Sequence, residues 1–285
     1  MDCFMLIRVG YELLLEAPEP VPTLLQLYLH PSQGPKLTQP EQVQITPPLP
    51  IDEFTDGFGN RVGRLLLPSG EVQLCNNVIL EDPGCPDVIN PAARQHSVQE
   101  LPPEVLPYLL SSRYCEVDRL SEVAWQLFDQ TPTGWARVQA VCDWVHCHIR
   151  FGYEYARPTK TAYDVYTERT GVCRDFNHLA IAFCRCLNIP ARYATGYLGD
   201  IGIPPQPLPM DFSAWFEAYL DHQWYTFDAR HNTPRVGRIL MARGRDGVDA
   251  ALMTSFGQVN LKRFRVWTDE VSREAALSLG LKPGL

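Results

Sequence analysis

No stretch of this sequence is apolar for long enough to cross a membrane as a helix, which takes about 20 consecutive apolar residues. Basic residues are in deficit: 25 Lys and Arg stand against 33 Asp and Glu, a net charge of −8 with the two signs interspersed. That weighs against nucleic acid or an anionic membrane surface as the partner. There is no glycine-rich phosphate loop, no dinucleotide fingerprint, no internal repeat and no low-complexity tract. A cysteine framework is missing as well. The nine cysteines (Cys3, Cys75, Cys85, Cys115, Cys142, Cys147, Cys173, Cys184 and Cys186) are odd in number and no spacing recurs. This pattern fits buried thiols in a reducing compartment better than paired disulfides, and the expected location is the cytoplasm. The opening "MDCFMLIRVGYELLLEAP" has no basic stretch ahead of its apolar residues, so it reads as a strand rather than a signal peptide.

What is present is ordinary for a globular chain: 285 residues, 45% apolar and 20% charged. That length suits one large domain or two modest ones of roughly 150 residues, each able to bury its own core. Residues 1–80 read as short strands joined by turn sequences such as "DGFGN" and "PSG", the pattern of an antiparallel β-sandwich. Residues 81–107 are rich in Pro, Gly and Asn and read as a linker. From 108 to 285 the period changes. Helical faces recur in "DRLSEVAWQLFDQ", with Asp118 as N-cap, and in "TPTGWARVQAVCDWVHCHIRF", with Thr133 as N-cap. A loop rich in Tyr, Arg and Pro separates them from "CRDFNHLAIAFCRCLNI", a helix from 173 to 187, and strands follow. Helices first and antiparallel strands after make this part an α+β domain.

The chemistry concentrates around Cys173. It opens the 173–187 helix, where free N–H groups and the positive dipole end favour an anion, so a thiol there is expected to be acidified. Gly171 permits the tight entry turn, and a backbone N–H beside the sulfur could form part of an oxyanion hole. The plainer alternative is a buried structural cysteine, the reading given to Cys184 and Cys186 on the apolar back of the helix. Downstream, "SAWFEAYL" and "QWYTFDAR" form a hairpin around Asp221 and His222. With a two-residue loop, paired positions sum to 443, so Ser213 falls opposite Arg230, Trp215 opposite Asp228 and Glu217 opposite Thr226. Ser213 and Asp228 are then diagonal neighbours on one face, an arrangement that suits a base at 213 oriented by a carboxylate at 228.

The ordered blocks "GVCRDFNHLAIAFCRCLNIPARYATGYL", "AWFEAYL" and "WYTFDARHN" resemble the transglutaminase-like superfamily, over roughly residues 110 to 232. The resemblance implies a papain-like fold preceded by the sandwich-like part, and a Cys–His–Asp triad. Cys173 matches the nucleophile and Asp228 the triad acid. The histidine position falls on Ser213, where this chain departs from the pattern. Serine cannot take a thiol proton or return it to a leaving amine near neutral pH, and losing such help typically costs about 10² to 10⁴ in rate. Three neighbours bear on the gap. His231 would fold back toward Asp228 if the chain turns at 229, and is the candidate substitute base. His178 lies about 140° round the helix from Cys173. Arg230 is a fixed cation that could stabilise a thiolate but cannot act as a base.

Other groups invite structural readings. Cys142 and His146 have metal-binding spacing on a helix, but no second ligand pair accompanies them, so no metal and no cofactor are expected. Tyr153, Tyr155 and Tyr163 suit aromatic packing beside the acyl site. Glu217 suits a buried, paired carboxylate, and the arginine-bearing 235–257 a loop beside the cleft. Two functions stay open. One is thiol-dependent acyl transfer or hydrolysis of a peptide or isopeptide amide through a Cys173 acyl-enzyme. The other is an inactive family member that binds a peptide or protein partner in its cleft.

Overall fold

Alternating apolar and polar residues in the first third of the chain become strands in the computed structural model, which describes residues 4–207 and 209–279; Cys3 lies outside them. In chain order these are β1 (Met5–Ala17), β2 (Val21–Leu25), β3 (Gln44–Thr46), β4 (Asp52–Thr55), β5 (Arg61–Leu67) and β6 (Gly70–Asp82). After the linker come α1 (Val117–Phe128), α2 (Trp135–His148), β7 (Arg150–Phe151), α3 (Ala162–Glu168), β8 (Thr170–Gly171) and α4 (Cys173–Cys186). The chain closes with β9 (Ala191–Leu198), β10 (Ser213–Leu220), β11 (Gln223–Phe227), β12 (Arg238–Gly244), β13 (Met253–Ser255), β14 (Asn260–Val271) and α5 (Arg273–Ser278). Helices α1–α4 in one block and mainly antiparallel strands around them give the expected α+β class.

Three four-stranded sheets carry the fold, in the orders β14-β1-β6-β3, β13-β2-β5-β4 and β11-β10-β9-β12. The first two face each other across one apolar core built from residues such as Ile7, Leu25, Leu65 and Leu74, as period-2 burial along each strand requires. The third sheet is shared. Its Tyr197, Ile239 and Met241 join that sandwich core, while Ala214, Phe216 and Phe227 pack with α4 in the helical core. Sheet membership does not follow chain order at the C-terminal end: β13 pairs with β2, and β14 runs antiparallel to β1 from Leu6↔Val271 to Glu16↔Asn260. Residues 253–271, read from the sequence as part of the 108–285 stretch, are therefore strands of the N-terminal sheets.

Two segments differ from the sequence reading. The stretch read as a Tyr-rich loop contains α3, whose N-terminus is closed by Thr161 and Asp164 capping each other's amides. The arginine-rich segment read as loop contains β12, which pairs with β9, and β13, which pairs with β2. The α1 and α2 N-caps are Glu116, two residues before Asp118, and Gly134, one residue after Thr133. Gly134 has φ 83, and a Cβ there would lie 2.4 Å from the carbonyl oxygen of Ala93, so no other residue fits this turn.

α4 holds His178 inside the core, stacked on Tyr114 at 5.0 Å, with its Nε2 accepting the Gly247 amide at 3.0 Å. Burial first, then the Arg174 and Arg185 charges, holds its pKa well below the usual value. The unfolded chain binds a proton here at about pH 6.5 and the folded chain does not. Stability should therefore fall as pH drops below that value, by up to about 1.4 kcal/mol per pH unit from this residue. Urea unfolding at pH 7.5 and 5.5 checks this. In His178→Gln, a neutral acceptor, the loss between the two pH values should shrink by this amount.

Candidate active site

Gly171 brings the chain into α4 because a Cβ there would lie 2.6 Å from Cβ of Asp175. The Asp175 carboxylate accepts the Val172 amide at 3.0 Å and closes the first turn. Cys173 follows as the first residue of the helix. Its thiol is half-buried and sits where two clefts meet. One, of about 600 Å³, is also lined by Tyr153, Asp211, Ser213, Arg230 and His231. The other, of about 1410 Å³, runs past Tyr114, Arg174, Tyr193 and the 247–254 segment. Cys173, Asp211, Phe212 and Ser213 line both.

The expected acidification of the thiol is corrected here. Burial raises its pKa, the Asp211 carboxylate adds to that, and together they outweigh the Ala214 amide and Arg230, so the thiol is pushed up to about 11. The helix-end argument considered only the chain next to the cysteine, whereas both opposing effects come from elsewhere in the fold. Asp211 was not singled out from the sequence. Its own pKa is raised by burial, and nothing in "PMDFSAW" marks it except its place two residues before the strand. Asp211→Asn removes a negative charge that opposes the thiolate. Cys173 alkylation by iodoacetamide at pH 8 is expected to rise by roughly threefold to tenfold.

The hairpin register is as expected from Leu220↔Gln223 to Phe216↔Phe227, each pair summing to 443. It stops there, so Ser213 does not pair with Arg230, nor Trp215 with Asp228. The chain turns instead: the Asn232 amide donates to the Asp228 carbonyl at 2.8 Å. Asp228 Oδ1 accepts the amides of Arg230 and His231 at 2.9 and 3.0 Å. This Asx-type turn folds His231 back, and its Nδ1 lies 2.9 Å from Asp228 Oδ2. Nε2 is the ring nitrogen left without a hydrogen bond among the described residues.

Asp228 is buried, which by itself would raise its pKa. The Arg238 guanidinium, 3.1 Å from Oδ2, and then His231 overcome this and hold the carboxyl well below the usual carboxylate range. The turn is fastened from α2, where His146 Nδ1 meets the Arg230 carbonyl at 2.9 Å and Asp143 accepts from Asn232. Arg230 lays its guanidinium over Phe151 at 3.8 Å. Asn177, one turn into α4, was also missed. Its Nδ2 donates to the carbonyls of Cys173 (2.8 Å) and Ala214 (2.9 Å), and its Oδ1 accepts the Ala229 amide at 3.2 Å. One buried amide thus ties together the helix start, the Ser213 strand and the Asp228 turn.

The remaining candidates sit apart. Ser213 lines both clefts, and its carbonyl accepts Thr195 Oγ1 at 3.0 Å. Tyr155 and Tyr163 lie under Arg150 and Arg119, while Tyr153 stays in the cleft. Glu217 is buried between Arg192 and Arg243 at 2.5 and 2.9 Å. Cys142 and Cys184 belong to the helical core. Among the described residues no group of three or more His, Cys, Asp or Glu side chains is placed to hold a metal ion.

Residues 122–229 match the family model of the transglutaminase-like superfamily core. No curated protein matches the chain. The fold is similar to that of a protein from Cytophaga hutchinsonii described as a candidate cysteine protease. The two are 28% identical with a TM-score of 0.83, over 95% of this chain and 92% of that one. The periplasmic domain of TgpA from Pseudomonas aeruginosa also matches, at 15% identity and a TM-score of 0.40, over 79% of this chain and 90% of that one. Over residues 122–229, then, this chain is similar to the transglutaminase-like superfamily.

Proposed function

We propose that the protein is a thiol hydrolase or acyltransferase of peptide or isopeptide amides, with Cys173 as nucleophile, His231 as base and Asp228 as the acid that orients it. The observation that carries this reading is the turn at 228–231, which places a carboxylate-held imidazole in the cleft that also holds the thiol. With Nδ1 on Asp228, Nε2 takes the Sγ proton as sulfur attacks the amide carbonyl. The tetrahedral intermediate collapses as the same proton passes to the leaving amine. Water then attacks the thioester, gives a proton to Nε2, and the acid product leaves with Sγ re-protonated. The Cys173 and Arg174 amides, ahead of the Asp175 amide that donates to the Val172 carbonyl, supply oxyanion donors. The reaction needs no metal or cofactor. The unpaired state of the described cysteines suits a reducing compartment such as the cytoplasm.

Fluorescein-labelled casein tests the reading. Release of labelled peptides, lost in Cys173→Ala, is the expected result. A second reading is favoured by the thiol's pKa of about 11, which leaves sulfur protonated unless a base reaches it. In that reading the chain binds a peptide and does no chemistry. Casein that remains intact while lowering Cys173 alkylation in a saturable way would support it.

A further inference from the structure

Asp228 belongs to a line of alternating charges that runs from the linker to the thiol cleft. Asp87, in the linker, accepts Arg238 Nε through its two carboxylate oxygens at 3.0 and 2.8 Å. It also accepts the Arg235 amide at 2.9 Å and donates its own amide to the Arg235 carbonyl at 3.0 Å. The linker is thereby pinned to the start of β12. Arg238 is nearly buried, with 7% of its side chain exposed, and lies over the Trp215 ring at 5.3 Å. Its Nη2 stands 3.1 Å from Asp228 Oδ2, the same oxygen that meets His231 Nδ1. Asp228 Oδ1 is already committed to two amides, so Oδ2 is divided between a permanent cation and a titratable ring.

We propose that Arg238, anchored by Asp87, is a positioning residue of this site: by sharing Oδ2 of Asp228 it sets how strongly that carboxylate holds the His231 imidazole. The proposal rests on the role given to His231, but not on any turnover. A guanidinium at Oδ2 offsets part of the negative charge that would favour an imidazolium, and Asp87 offsets part of the guanidinium in turn. Other charged or titratable groups line the cleft with the ring, Tyr153 after β7 among them, or hold its turn. Arg230 comes from its own turn, Cys173 from α4, Asp211 from the segment before β10, Asp200 from the end of β9, and His146 and Asp143 from α2. Arg238 and Asp87 do not line this cleft, so changing them alters the charge chain while leaving the cleft lining in place.

The test is the titration of the His231 ring by NMR in the full chain with ¹⁵N-labelled histidine, assigned with His231→Asn and measured without substrate. Relative to the parent chain, Arg238→Gln is expected to move the midpoint upward by on the order of one pH unit. Asp87→Asn leaves the guanidinium less compensated and should move it downward by less. Arg238→Lys, which keeps the charge, should lie closer to the parent than Arg238→Gln. A purely structural role for the pair predicts shifts of the same direction or none, because both changes loosen one clamp. Either of those results overturns the proposal. If Arg238→Gln is not recovered folded, Asp87→Asn decides: a downward shift supports the proposal, and an unmoved or raised midpoint refutes it. Casein left uncleaved would count against the catalytic reading and leave this outcome unaffected.

Discussion

His231→Asn is expected to lower casein hydrolysis by about 10² to 10⁴, the range for loss of a general acid–base group, while Ser213→Ala should change it by only a few-fold. The argument rests on magnitudes. A thiol titrating at about 11 is only about 10⁻⁴ ionised at pH 7. The Ala214 amide and Arg230 already act on the sulfur within that value, so neither is a reserve. A base must take the proton as the bond to carbon forms, and must give it back to the amine. His231 has Nδ1 fixed on a carboxylate and Nε2 unclaimed. Ser213, where the sequence resemblance would put a histidine, has no means of doing either. Equal losses from the two substitutions, or a large loss from Ser213→Ala alone, would contradict this assignment.

The second large effect is structural. Asn177→Ala is expected to destabilise the fold by about 2–4 kcal/mol, measured by urea unfolding, because it leaves the Ala214 carbonyl and the Ala229 amide buried without partners. Asn177→Asp should do no better. It keeps an acceptor for the Ala229 amide but sets a negative charge against two carbonyl oxygens. Activity should fall further than the fraction of folded protein, since the same side chain holds the Cys173 helix, the Ser213 strand and the turn that carries His231. A variant that loses stability but keeps full specific activity would show that these elements hold their places by packing alone.

Much of this site was legible in the sequence where its signals are local. The apolar face of "CRDFNHLAIAFCRCLNI" marks α4 and puts Cys173 at its start. The two-residue loop fixes the hairpin register, and that register holds in the structure as far as Phe216↔Phe227. Beyond it, the Asp228 side chain captures two amides and ends the ladder, a competition between side chain and sheet that strand parity does not contain. The expectation that His231 folds back on a turn at 229 matches the geometry because "DARHN" carries that turn chemistry within five residues. The thiol's pKa was read with the wrong sign because burial and Asp211 act through tertiary structure. Asn177 and the Asp87–Arg238 pair were invisible for the same reason: Asn177 reaches Ala214 and Ala229, 37 and 52 residues away, and Asp87 and Arg238 are 151 residues apart. The return of β13 and β14 to β2 and β1 has still larger separations, and no local pattern announces it.

The central claim is that His231, and not the residue at position 213, serves the thiol as its base. The most direct measurement is the rate of Cys173 alkylation by iodoacetamide from pH 5 to 11, in the parent chain and in His231→Asn, with the modified residue identified by peptide mapping. The account predicts two titrations in the parent profile, with appreciable reaction near neutral pH. It predicts one in the variant, rising only toward pH 11, with the neutral-pH rate reduced by at least an order of magnitude. Superimposable profiles would contradict it, and would leave Cys173 a buried thiol in a cleft that binds without reacting.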